Sequence, residues 1–129
     1  MIEKMPLLLA VSEIGGYPNF TPLYEKLGYQ VITETSMRKV LKLLKKKIPQ
    51  LVIAEFNYQS DFRDRTSSLE SMMSVIQRNS LRSPETKVII FYDKEHKDQL
   101  AKLEARYTLA KTLAFPILEV DLEQAIVEL

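Results

Sequence analysis

The sequence predicts an α/β domain in which a parallel five-stranded sheet is covered by helices on both faces. Three observations lead there. Short apolar runs alternate with amphipathic stretches along the whole chain, the rhythm of βαβ units. Two of these runs, Leu51-Val52-Ile53-Ala54 and Val88-Ile89-Ile90-Phe91, are apolar throughout, as strands buried on both sides must be. Finally, 129 residues without repeat, low-complexity tract or linker make room for one domain, residues 1–129, large enough to hold its own core.

Taken in order, Leu7-Leu8-Leu9-Ala10-Val11 reads as the first strand. Gly15-Gly16 breaks the chain, after which Thr21 is the expected cap of a helix with Pro22 at its first position. Gly28 stops that helix early. Tyr29 to Thr33 follows as a less apolar strand suited to a sheet edge. Ser36 then caps a helix whose Met37, Val40, Leu41, Leu44 and Ile48 share one stripe, with Pro49 as its end.

After the strand 51–54, residues 56–66 are a polar loop, and Ser67-Ser68-Leu69-Glu70 fits a capping box. Leu69, Met72, Met73 and Ile76 supply that helix's buried stripe. Beyond the strand 88–91, a charged helix from about Asp93 is expected to bury Leu100, Leu103 and Tyr107. Thr112 to Phe115 forms a fifth strand running into Pro116, and Asp121 and Gln124 open a last helix burying Leu122, Ile126 and Leu129. Such a sheet adopts the order 2-1-3-4-5, the three-layer arrangement of flavodoxin-like folds. Ligands and chemistry then belong at the carboxyl ends of the strands: Ser12, Glu13, Glu55, Asn57, Tyr92, Asp93 and Phe115.

Composition narrows the chemistry. There is no cysteine, which excludes disulfides, thiolate metal sites and cysteine nucleophiles and fits a cytoplasmic home. The five-residue apolar run at Leu7 is too short for a signal-peptide core or a membrane span. With 18 basic and 17 acidic side chains, net charge +1, no whole-molecule field draws the protein to nucleic acid or membrane. Lys39, Lys42, Lys45, Lys46 and Lys47 form a basic face opposite the apolar stripe of the second helix, read as a solvated face. His96, near the start of a charged helix, stands in no metal-ligand or catalytic spacing and is read as a solvated surface residue, and Gly15-Gly16 lacks the spacing of a phosphate loop. Asp61-Phe62-Arg63-Asp64-Arg65 has the makings of a recognition loop.

The strand ends carry a resemblance. The runs Leu8-Leu9-Ala10-Val11-Ser12-Glu13, Leu51-Val52-Ile53-Ala54-Glu55, Val88-Ile89-Ile90-Phe91-Tyr92 and Leu113-Ala114-Phe115-Pro116 resemble, in order and position, the receiver domain of bacterial two-component response regulators. In that family the first run ends in two Mg²⁺-binding acids, the second in the phosphoacceptor aspartate, the third in Thr or Ser, and the fourth in Lys-Pro. Here Ser12 replaces the first acid while Glu13 keeps the second; Glu55 stands at the acceptor, Tyr92 at the hydroxyl and Phe115 before Pro116. Thr112 occupies the place of a switching aromatic. Phosphoryl transfer depends on in-line placement and charge neutralisation, and a glutamate sets its carboxylate one methylene too far out, while Phe115 removes a cation. Glu13 and Glu55 alone would hold Mg²⁺ weakly.

The resemblance therefore implies a stand-alone pseudo-receiver, a non-enzymatic bacterial signalling module needing no cofactor and working through a protein partner. Residues 93–129 or the loop 57–66 would meet that partner, with self-association left open. Two alternatives stand beside it: an atypical Mg²⁺-dependent phosphoacceptor, and a small-ligand binder at the strand-end crevice. Glu55 is then either a built-in phosphate mimic or a carboxylate that only solvates a strand end, and Tyr92 and Phe115 either lid or fill the pocket.

Overall fold

The computed structural model describes residues 5–56, 69–79 and 86–129. Five strands, β1 (Leu7–Val11), β2 (Gln30–Glu34), β3 (Leu51–Glu55), β4 (Lys87–Tyr92) and β5 (Lys111–Ala114), pair in parallel in the order β2-β1-β3-β4-β5. The helices are α1 (Thr21–Lys26), α2 (Met37–Leu44), α3 (Leu69–Asn79), α4 (Lys97–Glu104) and α5 (Glu119–Val127), with a short 3₁₀ turn at Lys94–His96 before α4. This is the expected flavodoxin-like sandwich. The loop 57–66 and the Ser67 cap lie outside the described residues.

Period-two alternation divides the strands between two cores. Leu9, Val11, Val52, Ala54, Val88 and Ile90 face α2, α3 and α4. Leu8, Leu51, Ile53, Ile89 and Phe91 face α1 and α5, where Leu23, Tyr24, Leu122, Ala125 and Ile126 pack. β3 is buried along its whole length, which explains why its sequence shows no polar face. The edge strand β2 alternates between half-buried and exposed, as its composition suggested.

The differences from expectation fall at element ends. Thr21 is not the cap of α1 but its first residue: Phe20 holds the cap position, and Asn19 Oδ1 accepts the Thr21 N–H at 3.0 Å. Gly28 does terminate α1, with φ +95°, a conformation open to glycine at little cost. Ser36 has the extended cap backbone but makes no side-chain capping bond. Helix α2 stops at Leu44, where the Lys46 and Lys47 N–H groups both turn back to the Leu43 carbonyl. Ile48 therefore leaves the helical stripe and is 41% exposed. Leu129 likewise lies beyond the end of α5 and is 40% exposed, with Ala125 buried in its stead. Tyr107 sits past the end of α4, yet it stays half-buried against the core.

Candidate functional site

The carboxyl ends of β1, β3, β4 and β5 bring Ser12, Glu13, Glu55, Asp93 and Phe115 to one end of the sheet. Glu55 is the last residue of β3, opposite Phe91 in β4. Alternation sends its side chain to the same side as Leu51 and Ile53, the α1–α5 side. The β1–α1 loop crosses there. Glu55 Oε1 accepts the Ile14 N–H at 3.0 Å and Oε2 accepts the Gly15 N–H at 2.9 Å. The residue is 3% exposed. The reading of Glu55 as a carboxylate that only solvates a strand end therefore gives way to one buried against the backbone of the β1–α1 loop.

Gly15 and Gly16 make this approach practical. Both have positive φ, 78° and 83°, so the loop doubles back over the end of β3 at a place where side-chain-bearing residues are strained. Charge-assisted bonds of this kind are about twice as strong as neutral ones, and each gives the buried carboxylate a donor in place of water.

Tyr17 completes the arrangement. Its hydroxyl hydrogen-bonds with the side chains of Ser12 and Glu55. Burial holds that hydroxyl in its neutral form far beyond the usual tyrosine range; the Ser12 bond opposes this, while the Glu55 bond and charge add to it. The ring stacks with Phe20 at 6.3 Å and with Phe115 at 5.8 Å, and meets Phe91 edge-on at 5.2 Å. Phe115 also meets Phe91 edge-on at 6.1 Å. Such offset and T-shaped contacts are the favoured aromatic geometries.

Phe115 is followed by Pro116 through a cis peptide bond, just past β5, and its N–H bonds to the Tyr92 carbonyl at 2.9 Å. Tyr92 itself packs with the opposite core, the one beneath α2 to α4. The two aromatics expected to share one pocket are therefore on opposite faces, because Tyr92 follows Phe91 by a single residue in the same strand. Thr112 pairs with Ile90 inside β5, further down the strand from the Glu55 cluster. Glu13 is half-buried at the end of β1. Among the described residues no group of three His, Cys, Asp or Glu side chains could hold a metal ion. A cleft of about 410 Å³ opens beside Tyr17 and Phe115, bordered by Gly16, Pro18, Asp93 and Pro116.

Sequence reading missed Tyr17 and the two backbone donors. Gly15-Gly16 was the available signal, since paired glycines after a strand permit a close backbone approach, but a main-chain N–H has no letter of its own.

No family model matches this sequence, and no curated protein matches it. The fold does have counterparts among solved structures. The chain is similar to the signal receiver domain of a LuxO repressor protein from Vibrio parahaemolyticus, at 19% identity and TM-score 0.71, covering 97% of this chain and 89% of that one. A response regulator receiver domain from Clostridium thermocellum matches with 19% identity and TM-score 0.71 over 96% and 93% of the two chains. A streptococcal protein, from a family of redox sensors evolved from two-component response regulators, matches at 14% identity and TM-score 0.72 over 95% of this chain and 50% of that one. The fold is that of response regulator receiver domains.

Proposed function

We propose that the protein is a signalling module of receiver type that acts through protein contacts and does not use aspartyl phosphorylation. The observation that carries this reading is Glu55, whose two carboxylate oxygens each already accept a backbone N–H from the β1–α1 loop. An acceptor of a phosphoryl group must present an oxygen in line with the donor beside a metal ion. Here the carboxylate is turned inward, Ser12 supplies a hydroxyl in place of an acid, and Phe115 fills the lysine position with a ring stacked on Tyr17. Glu13 and the turned-in Glu55 do not fit the carboxylate cage that Mg²⁺ needs.

The partner surface suggested by resemblance, residues 93–129, has apolar side chains to offer. Val120 and Val127 are one α5 heptad apart, both exposed, with exposed Leu118 just before them. The loop 57–66 lies outside the described residues and remains an alternative contact. The streptococcal redox sensors show that this fold has been put to another signal; the absence of cysteine here rules out thiol chemistry as that signal. A second reading, a small-molecule site, is favoured only by the cleft beside Tyr17.

Incubation with acetyl phosphate and Mg²⁺ tests the proposal by intact mass, which is expected to stay unchanged. A gain of one phosphoryl group, labile to alkali, would establish the atypical phosphoacceptor instead. Beryllofluoride with Mg²⁺ should likewise leave the Ile14, Gly15 and Glu55 amide resonances in place.

A further inference from the structure

Helix α2 carries charge in a way that its own stability does not explain. Arg38, Lys39, Lys42, Lys45, Lys46 and Lys47 are all exposed, and no acidic residue occurs between Thr35 and Ala54. At about 100° per residue, Arg38, Lys39, Lys42 and the C-cap Lys45 fall within roughly 120° of the helix circumference, and Lys46 and Lys47 follow in the turn beyond it. That arc lies opposite buried Met37, Val40 and Leu44. From Arg38 to Lys45 the band runs about 10 Å along the axis.

Two features mark this band as more than a solvated face. Like charges three or four residues apart, such as Arg38 with Lys42 and Lys42 with Lys45, repel along the helix. Arg38 and Lys39 also stand in the first turn, where the helix dipole disfavours cations and where α2 has no acid at all. Only the lysines at the carboxyl end suit the dipole. Among the described residues none of the six makes an ion pair, although acidic side chains elsewhere do pair with Lys26, Arg106 and Lys111. Six of the chain's 18 basic residues are gathered here, leaving 12 against 17 acidic ones, so the rest of the chain is net −5. A molecule almost neutral overall is strongly polarised.

We infer that the outer face of α2 is a docking surface for an acidic face of a partner protein. Five lysines to one arginine, with no aromatic among them, lack the stacking and bidentate groups used to read nucleic acid. The helix's apolar stripe is committed to the core, so nothing but Ile48 remains to enter a membrane. Exposed Ile48 at the end of a cationic band instead gives the mixture of apolar anchor and charged rim found in protein interfaces. Charge complementarity there would steer association and fix orientation. This surface is separate from Glu55, and the inference stands whether or not the strand-end site is ever phosphorylated.

The test uses the full chain, with poly-L-glutamate, a 20-base-pair DNA duplex and phosphatidylglycerol vesicles as probes, read by amide shifts at near-physiological salt. Poly-L-glutamate is expected to shift residues 38–48 and to bind at least tenfold more weakly to Arg38→Glu/Lys39→Glu. Lys94→Glu/Lys97→Glu, also exposed but on the α4 side, should bind it as the native chain does. Tighter binding of the duplex or the vesicles than of poly-L-glutamate would overturn the acidic-protein assignment, and no binding of any probe would overturn the surface itself. Thermal melting supplies an independent check. Arg38→Glu/Lys39→Glu should fold and melt roughly 2–4 °C higher, since it favours the dipole and relieves repulsion; a lower midpoint would refute the argument that this face costs stability.

Discussion

Glu55 accounts for most of what distinguishes this strand-end site. A buried carboxylate is costly unless donors replace the water it loses, and the Ile14 and Gly15 N–H groups with the Tyr17 hydroxyl do so. Charge is only part of its role, because both oxygens must accept. Glu55→Gln keeps the shape but turns an NH₂ toward a backbone donor, leaving that N–H unsatisfied and displacing the loop. We predict a loss of about 1–3 kcal/mol in urea unfolding, the usual cost of an unsatisfied buried polar group. The largest amide shifts should fall at Ile14, Gly15 and Tyr17. Unchanged or increased stability would show that the carboxylate is not tied to the loop. Tyr17→Phe preserves the stack with Phe20 and Phe115 and removes only the hydroxyl, so a smaller loss, about 0.5–1.5 kcal/mol, is expected in the same assay.

Among the elements, α2 displays the clearest division of labour. Its inner stripe of Met37, Val40 and Leu44 is fully within the core beneath the sheet. Truncating Leu44 to Ala removes buried methyl groups and leaves a cavity, which should cost about 2–5 kcal/mol. Lys45→Ala, one residue later and exposed, should change stability by less than roughly 0.5 kcal/mol. Equal effects of the two in urea melts would mean the helix presents a different face to the sheet. The end of α2 is braced from α3, where Asn79 Nδ2 donates to the Leu44 carbonyl at 3.2 Å, satisfying one of the acceptors left open at a helix terminus.

For the molecule as a whole, tyrosine burial sets an alkaline limit. Desolvation raises the hydroxyls of Tyr17, Tyr24 and Tyr29 above the ordinary value of 10.0. A folded-state pKa raised above the unfolded one means that the unfolded chain releases its protons first. These groups therefore contribute their full stability below about pH 10, and it is lost as pH rises from there toward their folded values. Unfolding free energy should be flat from these residues between pH 7 and 9 and fall steeply above 10. Tyr24→Phe, which leaves the strand-end bonds of Tyr17 intact, should make that alkaline fall shallower. An unaltered slope would show that Tyr24 ionises as freely folded as unfolded. Exposed ion pairs such as Lys111 with Glu128 contribute little to this balance, being solvent-screened.

Much of this architecture was written in local patterns. The apolar runs 51–54 and 88–91 of β3 and β4, the edge character of β2, the stripes of α2 and α3 and the stop at Gly28 follow from hydrophobic period and backbone freedom, which a linear string carries. The resemblance to receiver domains added the alignment of Glu55, Phe115 and Pro116 at strand ends; the cis bond before Pro116 is read from the structure. Helix ends were less legible, because whether Ile48 or Leu129 belongs to a stripe depends on where the backbone turns, and neighbouring elements decide that. The state of Glu55 was decided only in three dimensions. Its partners are main-chain donors 40 and 41 residues away, and main-chain groups are the same at every position. Tyr17 reached Glu55, and Tyr92 was parted from Phe115, by sheet pleat and loop path together. Sequence set which residues stand at the strand ends; the fold set which way they point, since direction there depends on contacts between segments that no local period records.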